Sequence, residues 1–316
     1  MKTLLTAAVV AFAATTATAR DNIQIAGSST VLPYASIVAE AFGENFDYPT
    51  PIVQSGGSGA GQKMLCEGIG ENTIDIANSS SLMKPKTWEE CEKEVGKVVE
   101  VRIGYDGIVF AANLQNKGFN NMTPVQIFHA VRADSPFTNW NQIDSSLPNK
   151  NITVFLPGTK HGTREVFEKK VMIVGCKAAG LYDTLGKKGC VQVRKDNLAV
   201  DIDGDYTETL ARMESDANAI GVFGLSFLLN NTSKIYAASI NNVEATTETI
   251  ASGEYPISRP LQFYVKTAHL DAIPGMREYI EFFVSDEIAG PDGPLATYGL
   301  VSDPELATTQ DLVAGL

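Results

Sequence analysis

The chain passes repeatedly from a short apolar strand, through a turn of glycine and hydroxyl residues, into a helix. Four such units have their strands and turns at 23–26 and 27–30, 51–54 and 56–61, 74–77 and 78–81, and 152–155 and 157–163. Two of the predicted helices span 33–46 and 164–171. Strands that alternate with helices in this way are typical of an α/β domain with a parallel sheet.

Later segments continue the same plan. Apolar runs predict further strands at 98–103, 108–112, 219–223 and 259–265, and helical spacing predicts a helix at 274–285. No strong internal repeat, low-complexity segment or flexible linker divides the chain. Two lobes joined by crossing strands therefore fit the sequence better than two domains in series.

The N-terminus has the pattern of a secretory signal peptide. Lys2 precedes an apolar stretch at 4–14, and Ala17 and Ala19 offer the small residues that signal peptidase reads. The alternative is a buried N-terminal helix. A cleaved signal predicts a mature chain of about 297 residues beginning at Arg20, long enough for two domains. There is no cysteine at the predicted cleavage point, which argues against a lipid anchor.

The four cysteines fall into two sequence-local pairs. Cys66 with Cys91 and Cys176 with Cys190 are the simplest of three connectivities in an oxidising compartment. Free thiols or a metal site are the alternatives. There is no CxxC pattern, and none of the three histidines is close to a cysteine pair in the sequence, so no metal is predicted.

The formal net charge of −12 disfavours nucleic acid as a partner. Removal of Lys2 with the signal peptide lowers it to −13. The acidic balance does not exclude a buried anion site, because such a site is built from local N–H groups and helix dipoles.

The turns themselves suggest an anion site. Three of them place hydroxyls and glycine backbone where a helix begins, at Gly27-Ser28-Ser29-Thr30, Gly57-Ser58-Gly59 and His161-Gly162-Thr163, and Ser79 and Ser80 add a fourth. Helix N-termini carry free N–H groups that bind anions, although serine and threonine are also ordinary helix caps. Arg164 adds a planar fork suited to a tetrahedral oxyanion. No P-loop is present, which disfavours a nucleotide.

Taken in order, these motifs resemble the substrate-binding component of phosphate ABC transporters. The similar segments are 27–31, 56–61, Asp75 to Ser80, 161–164, 258–261 and 274–275, so the resemblance covers nearly the whole mature chain. It implies a type II periplasmic binding protein fold, α/β, with two Rossmann-like lobes joined by two crossing hinge strands. It assigns residues 1–19 to the signal peptide, 20–108 plus 262–316 to lobe one and 109–261 to lobe two.

The resemblance also implies the function and the ligand set. A monomeric periplasmic protein would bind inorganic phosphate by closure of its lobes and deliver it to a permease, with no cofactor. The candidate ligand-binding residues are Ser29, Thr30, Val31 through its N–H, Ser58, Ser80, His161, Gly162, Thr163 and Arg164. His161 stands where many relatives have serine, and Ser80 where some have the aspartate that accepts the phosphate proton. Selectivity against sulfate is therefore open.

Catalysis is the main alternative. No GxSxG elbow or HExxH motif occurs, and a serine nucleophile would depend on one of three histidines, with His161 the nearest to several serines. The acidic stretch 201–205 lacks the closing acidic residue of a calcium loop, since Arg212 stands there, and predicts a solvated turn. We therefore predict a binding protein and not an enzyme. The alternatives are a secreted phosphohydrolase or a binder of another tetrahedral oxyanion such as sulfate.

Overall fold

The computed structural model describes residues 20–159, 162–203 and 206–316. The predicted signal peptide, 1–19, and His161 lie outside these ranges. Within them, no helix combines the length and the apolar character that a membrane crossing requires.

Strands and helices alternate along most of the chain. The strands are β1 Gln24–Gly27, β2 Ile52–Ser55, β3 Ile76–Ser79, β4 Val98–Asn113, β5 Asn121–Met122, β6 Val154–Pro157, β7 Ala199–Ile202, β8 Ile220–Gly224, β9 Ile235–Ala237, β10 Ser239–Ile240 and β11 Ser258–Lys266. The helices are α1 Leu32–Asn45, α2 Ser58–Leu65, α3 Pro85–Val95, α4 Pro124–Val131, α5 Trp140–Ile143, α6 Gly162–Val166, α7 Ile173–Ala178, α8 Tyr182–Cys190, α9 Tyr206–Ser215, α10 Leu225–Leu229, α11 Thr247–Ala251, α12 Met276–Phe283, α13 Asp286–Ala289, α14 Pro294–Tyr298 and α15 Leu306–Ala314. A π-helical segment, Phe167–Met172, joins α6 to α7, and a 3₁₀ turn, Thr267–His269, follows β11.

The main sheet has the strand order β2-β1-β3-β11-β4-β8-β6-β7, and β9 also pairs with β4. The strands β2, β1 and β3 are parallel to one another, as are β8, β6 and β7. Between these two groups, β11 and β4 run antiparallel to each other and to the strands beside them. The sheet is therefore mixed, and the prediction of a parallel sheet holds only within each group.

Two long strands cross from one group to the other. The sequence predicts two strands where β4 runs unbroken from Val98 to Asn113, and that prediction was wrong. The apolar pattern is interrupted by Gly104, Asp106 and Gly107, but the backbone pairing continues through them, with Arg259 of β11 opposite Asp106. At this crossing the chain leaves one core and enters the next, so its side chains need not be apolar.

The hydrophobic core divides at the crossing strands. The first core consists of buried residues from 23–103 and 261–313, and the second of buried residues from 108–257 with Val301. A smaller cluster around Leu65 and Tyr264 lies on the side of the first core. Each half of the molecule therefore packs around its own part of the sheet. The strand β4 contributes to both cores, whereas β11 contributes to the first and directly follows Ile257 of the second.

Both predicted disulfides are confirmed. Cys66 is bonded to Cys91 and Cys176 to Cys190, and no described cysteine is free. The first bond ties the end of α2 to α3, and the second ties α7 to the end of α8. Each bond closes a short loop within one half of the molecule and leaves the two halves free of a covalent crosslink other than the crossing strands.

Candidate functional site

Hydroxyl groups from three turns meet at the carboxyl ends of β1, β2 and β3. The Ser80 hydroxyl lies 3.0 Å from that of Ser28 and 3.1 Å from that of Ser58, and the Ser80 N–H donates to the Ser58 oxygen at 3.0 Å. All three side chains are buried. The sequence predicts that turns at one edge of the sheet lie close together. These three do so because the strands that lead into them are neighbours in the sheet.

Close packing of glycines allows this approach. Gly27 has φ +142°, and a Cβ there would collide with the Asn78 carbonyl oxygen. A Cβ on Gly61 would lie 2.5 Å from the Gly27 Cα. A side chain at Gly61 would therefore push α2 away from β1, and one at Gly27 would push β1 away from β3, so either would disturb the approach of the turns that carry Ser58 and Ser80.

The first turn supplies Thr30 and Val31 at the start of α1. Both residues are buried, and their N–H groups approach the Ser28 oxygen at 3.2 Å and 3.4 Å. Ser29 is exposed in the same turn. Ser28, which sequence reasoning left out of the ligand set, thus orients the turn, because its hydroxyl accepts from the backbone and donates to Ser80.

Arg259 completes the cluster from the crossing strand. Its Nη2 donates to the Thr30 hydroxyl at 2.6 Å and its Nη1 to the Ser80 hydroxyl at 3.2 Å. Its Nε and Nη2 also face Asp106 Oδ2 at 3.4 Å. We refer to Ser28, Thr30, Ser58, Ser80 and Arg259 as the donor cluster. It joins hydroxyls, the N-termini of two helices and a buried guanidinium, which is the chemistry of an anion site.

Asp106 balances the charge of Arg259. Burial raises the pKa of the Asp106 carboxyl above its ordinary value, and this effect outweighs the lowering by the neighbouring guanidinium. The carboxylate is held in a buried position by Arg259, so each depends on the other for its charge to remain buried. The pair fixes the guanidinium plane toward Thr30 and Ser80.

A second element, α6, reaches the donor cluster through Glu165. The Thr30 hydroxyl donates to Glu165 Oε2 at 3.1 Å, and Arg259 Nη1 lies 3.7 Å from the same oxygen. Thr163, from the same helix, is half-buried and shares a hydrogen bond with the Tyr206 hydroxyl. Burial raises the pKa of Tyr206, so its hydroxyl remains protonated near neutral pH. The α6 end of the second half thus faces the cluster.

Arg164 is not brought together with the donor cluster. Its Nη1 contacts Asp201 Oδ1 at 2.6 Å and the Pro157 carbonyl at 3.2 Å, and its Nε contacts Glu168 Oε1 at 2.9 Å. Two carboxylates and a carbonyl therefore hold the guanidinium on the other side of α6, and its role in ligand binding stays a prediction. The helix α6 begins at Gly162, two residues before the predicted start at 164, while His161 lies outside the described residues.

A cavity of about 330 Å³ is lined by residues of both halves and reaches one member of the donor cluster, Arg259. Arg102, Lys170 and Arg259 line it together with Tyr105 and Leu82. Burial lowers the pKa of Lys170, and the nearby positive charge of Arg259 lowers it further. This local positive lining offers an approach for an anion in a chain whose net charge is negative.

The described residues contain no group of three or more histidine, cysteine, aspartate or glutamate side chains able to hold a metal ion. The candidate site consists of hydroxyl and N–H donors, the Arg259 guanidinium and the nearby carboxylates of Asp106 and Glu165. Such a set can hold an oxyanion through charge-assisted hydrogen bonds.

A family model described as a PBP superfamily domain matches residues 13–287. This chain belongs to the PBP superfamily. The match takes in both halves of the molecule and both crossing strands. The type II periplasmic binding protein fold predicted from the motifs is confirmed, and so is the resemblance to phosphate-transporter binding proteins.

Named relatives agree with this assignment. The chain is 28% identical over 293 residues to the phosphate-binding protein PstS of Staphylococcus haemolyticus, covering 90% of this chain and 82% of the relative. It is 30% identical to the protein SphX of Synechococcus elongatus, covering 82% and 72%.

Solved structures show the same architecture. A "possible phosphate binding protein" from Planctomyces limnophilus has a TM-score of 0.75 at 27% identity, covering 93% of this chain and 98% of that one. A putative phosphate ABC transporter substrate-binding protein from Clostridium perfringens, solved with bound phosphate, has a TM-score of 0.55 at 25% identity, covering 89% and 99%.

Proposed function

We propose that this protein binds inorganic phosphate in the periplasm and delivers it to the permease of an ABC transporter. The observation that carries the proposal is the donor cluster, where Thr30, Ser58, Ser80 and Arg259 meet between the two halves of a PBP superfamily fold. Relatives named as phosphate-binding proteins support phosphate as the oxyanion. Residues 1–19 would be the signal peptide, and the mature protein would act as a monomer without a cofactor or catalytic activity.

The ligand would be held by groups from both halves. We place residues 20–108 plus 262–316 in lobe one and 109–261 in lobe two, and the division of the hydrophobic core at β4 and β11 supports this. Lobe one supplies Thr30, the Val31 N–H, Ser58 and Ser80. Thr163 and the backbone at Gly162 come from lobe two, and Arg259 comes from the crossing strand.

Phosphate would favour the closed arrangement because only that arrangement lets donors of both lobes reach one ligand. Each hydrogen bond from a hydroxyl or guanidinium to an ionised phosphate is stronger than a neutral pair. The permease would then recognise the closed form. We place the hinge at the crossing of β4 and β11, because these two strands lie between the two parallel groups of the sheet and the core divides there.

Calorimetric titration of the mature protein, residues 20–316, tests the proposal. The protein is first unfolded, freed of bound anions and refolded, and is then titrated with phosphate, sulfate, arsenate and a phosphonate. We expect one saturable phosphate site per chain. Absence of saturable phosphate binding would refute the proposal, and tighter binding of sulfate than phosphate would reassign the ligand.

Replacement of Ser80 by alanine is expected to weaken phosphate binding at least about tenfold, because a hydrogen bond to a charged group contributes about 1.5–3 kcal/mol. The Ser80 hydroxyl touches Ser28, Ser58 and Arg259 and is the geometric centre of the donor cluster. Ser81→Ala is the matched control, since Ser81 is exposed and accepts hydrogen bonds through its backbone carbonyl. Equal affinities for the two variants in the same titration would place the ligand elsewhere.

A further inference from the structure

Glu165 places a carboxylate oxygen at the donor cluster from the opposite half of the molecule. Its Oε2 accepts from the Thr30 hydroxyl at 3.1 Å and lies 3.7 Å from Arg259 Nη1. Thr30 lies in the turn before α1, which packs in the first core, whereas Val166 and Phe167 beside Glu165 are buried in the second core. The contact therefore connects the two halves directly.

The carboxylate is ionised in this position. Although burial raises the pKa of Glu165, the hydrogen bond from Lys169, the charge of Arg259 and the Thr30 hydroxyl together lower it below its ordinary value. Thr30 has a single hydroxyl hydrogen, which it donates in a hydrogen bond to Glu165. A bound oxyanion that needs the same hydrogen and the same face of Arg259 must remove the carboxylate from both.

We propose that Glu165 is an internal competitor of the oxyanion, and that its displacement limits the affinity of the site. The exchange rests on the proposed function, since the oxyanion is the ligand assigned there. In the ligand-free protein the Glu165 carboxylate occupies Thr30 and Arg259 and links the two lobes. On binding, the oxyanion takes these donors and the carboxylate is released.

Lys169 can keep the released Glu165 carboxylate in an ion pair. Its Nζ already lies 2.6 Å from Glu165 Oε1, one turn further along the helix, and its side chain is close to half exposed. Rotation of the Glu165 side chain toward Lys169 keeps this ion pair while Oε2 leaves the donor cluster. Arg259 faces a negative group throughout, first the carboxylate and then the ligand, so the exchange leaves no buried cation unpaired.

Replacing Glu165 by glutamine keeps the shape of the side chain and removes its charge. We expect Glu165→Gln to bind both phosphate and sulfate about tenfold more tightly than the native protein, because competing charge next to an anion is lost. The control is Glu214→Gln, which removes the same charge from a surface pair with Lys234 and should leave both affinities unchanged. Calorimetry measures all three proteins under identical salt conditions.

Unchanged affinity in Glu165→Gln would overturn the competitor role. A loss of phosphate affinity with a gain for sulfate would also overturn it, since that pattern belongs to an acceptor of the phosphate proton. Small-angle X-ray scattering of ligand-free Glu165→Ala gives a second test. We expect a larger radius of gyration than in the native protein, returning to the native value with phosphate, and equal radii without ligand would contradict the link.

These outcomes separate the competitor role from the proposed function. If the native protein binds no phosphate, the proposed function fails. If it binds phosphate and the Glu165 variants match it in affinity and radius, only the role of Glu165 fails.

Discussion

Replacing Arg259 by alanine is expected to reduce phosphate affinity at least about 100-fold, the equivalent of about 3 kcal/mol. The guanidinium is the only arginine group that contacts both Thr30 and Ser80 among the described residues. Its loss removes two donors and the positive charge that compensates an ionised ligand. The Asp106 carboxylate is then left beside the site without its partner, which adds repulsion.

A second variant guards against loss of folding. Arg259→Gln combined with Asp106→Asn removes both charges of the buried pair together, so no unpaired charge remains buried. We expect this double variant to fold, as judged by circular dichroism and cooperative urea unfolding, and to bind phosphate at least about 100-fold more weakly. Native-like affinity in a folded double variant would show that the donor cluster is not the ligand site.

Arg164→Ala is the informative comparison. The resemblance to phosphate-transporter proteins includes Arg164 among the ligand-binding residues. In the structure, however, the Arg164 guanidinium contacts Asp201, Glu168 and the Pro157 carbonyl. We expect a smaller loss of affinity than for Arg259→Ala. If Arg164→Ala abolishes binding and Arg259→Ala does not, the ligand set implied by the resemblance is right and the site centred on Ser80 is wrong.

The convergence of the turns could be predicted because it follows from local rules. Carboxyl ends of parallel strands share one edge of a sheet, so the turns after β1, β2 and β3 had to meet once the strands were recognised. Ser58 and Ser80 are therefore where the sequence placed them. The same rule says nothing about side-chain direction, which is why Ser29 is exposed while Ser28 is buried in the cluster.

Arg259 could not be identified by that reasoning because it comes from a long-range antiparallel pairing. The segment 258–261 is one of those similar to the phosphate-transporter proteins. Its arginine, Arg259, reaches the turns because β11 lies between β3 and β4 in the sheet. The available signal was a charged residue within a run of strand residues, opposite a second interruption at Asp106. Both departures from the apolar pattern lie at the crossing, where the site requires charge.

Arg164 shows the opposite case. The sequence predicts a helix from 164, and α6 begins two residues earlier, at Gly162. The pattern does not fix the direction of the flexible Arg164 side chain, whose guanidinium contacts nearby carboxylates. The sequence predicts a solvated turn at Asp201. In the structure Asp201 lies within β7, which pairs with β6, and its carboxylate pairs with Arg164. Residues 204 and 205 of that turn lie outside the described residues.

The second large effect is on stability, and it concerns the opposite end of β3 from Ser80. Asp75→Ala is expected to lower the free energy of unfolding by about 4 kcal/mol, because removing one member of a buried charge network leaves the others uncompensated. The Asp75 carboxylate is fully buried and accepts from Arg20 Nη2 at 2.5 Å, from the Gln24 N–H at 2.6 Å and contacts His269 Nδ1 at 2.6 Å.

Neighbouring cations increase the cost. Burial lowers the pKa of Lys266 to about 8, even though Asp75 and Glu67 favour its charged form. Without the Asp75 carboxylate, Lys266 and Arg20 lose this compensation while Lys266 remains bonded to the Gly68 carbonyl at 2.6 Å. A loss of about 4 kcal/mol corresponds to a fall in Tm on the order of 8 °C for a chain of this size.

Urea unfolding followed by circular dichroism, in phosphate-free buffer, measures the difference. Asp271→Ala is the matched control, since Asp271 pairs with Arg277 at the surface, with its side chain 87% exposed, and such pairs contribute at most about 1 kcal/mol. A change below about 1 kcal/mol for Asp75→Ala would contradict the network's role. Phosphate affinity should stay within about threefold of native, because the donor cluster is left intact.

The two variants thus distinguish the roles of two buried charged side chains, the Asp75 carboxylate and the Arg259 guanidinium. Asp75 closes a network that includes His269 and Arg20, the first residue of the predicted mature chain. Arg259 lines the cavity between the lobes and has hydroxyl groups on its other side. Loss of the Asp75 carboxylate should therefore change the free energy of unfolding, and loss of the Arg259 guanidinium should change phosphate affinity, because only Arg259 belongs to the donor cluster.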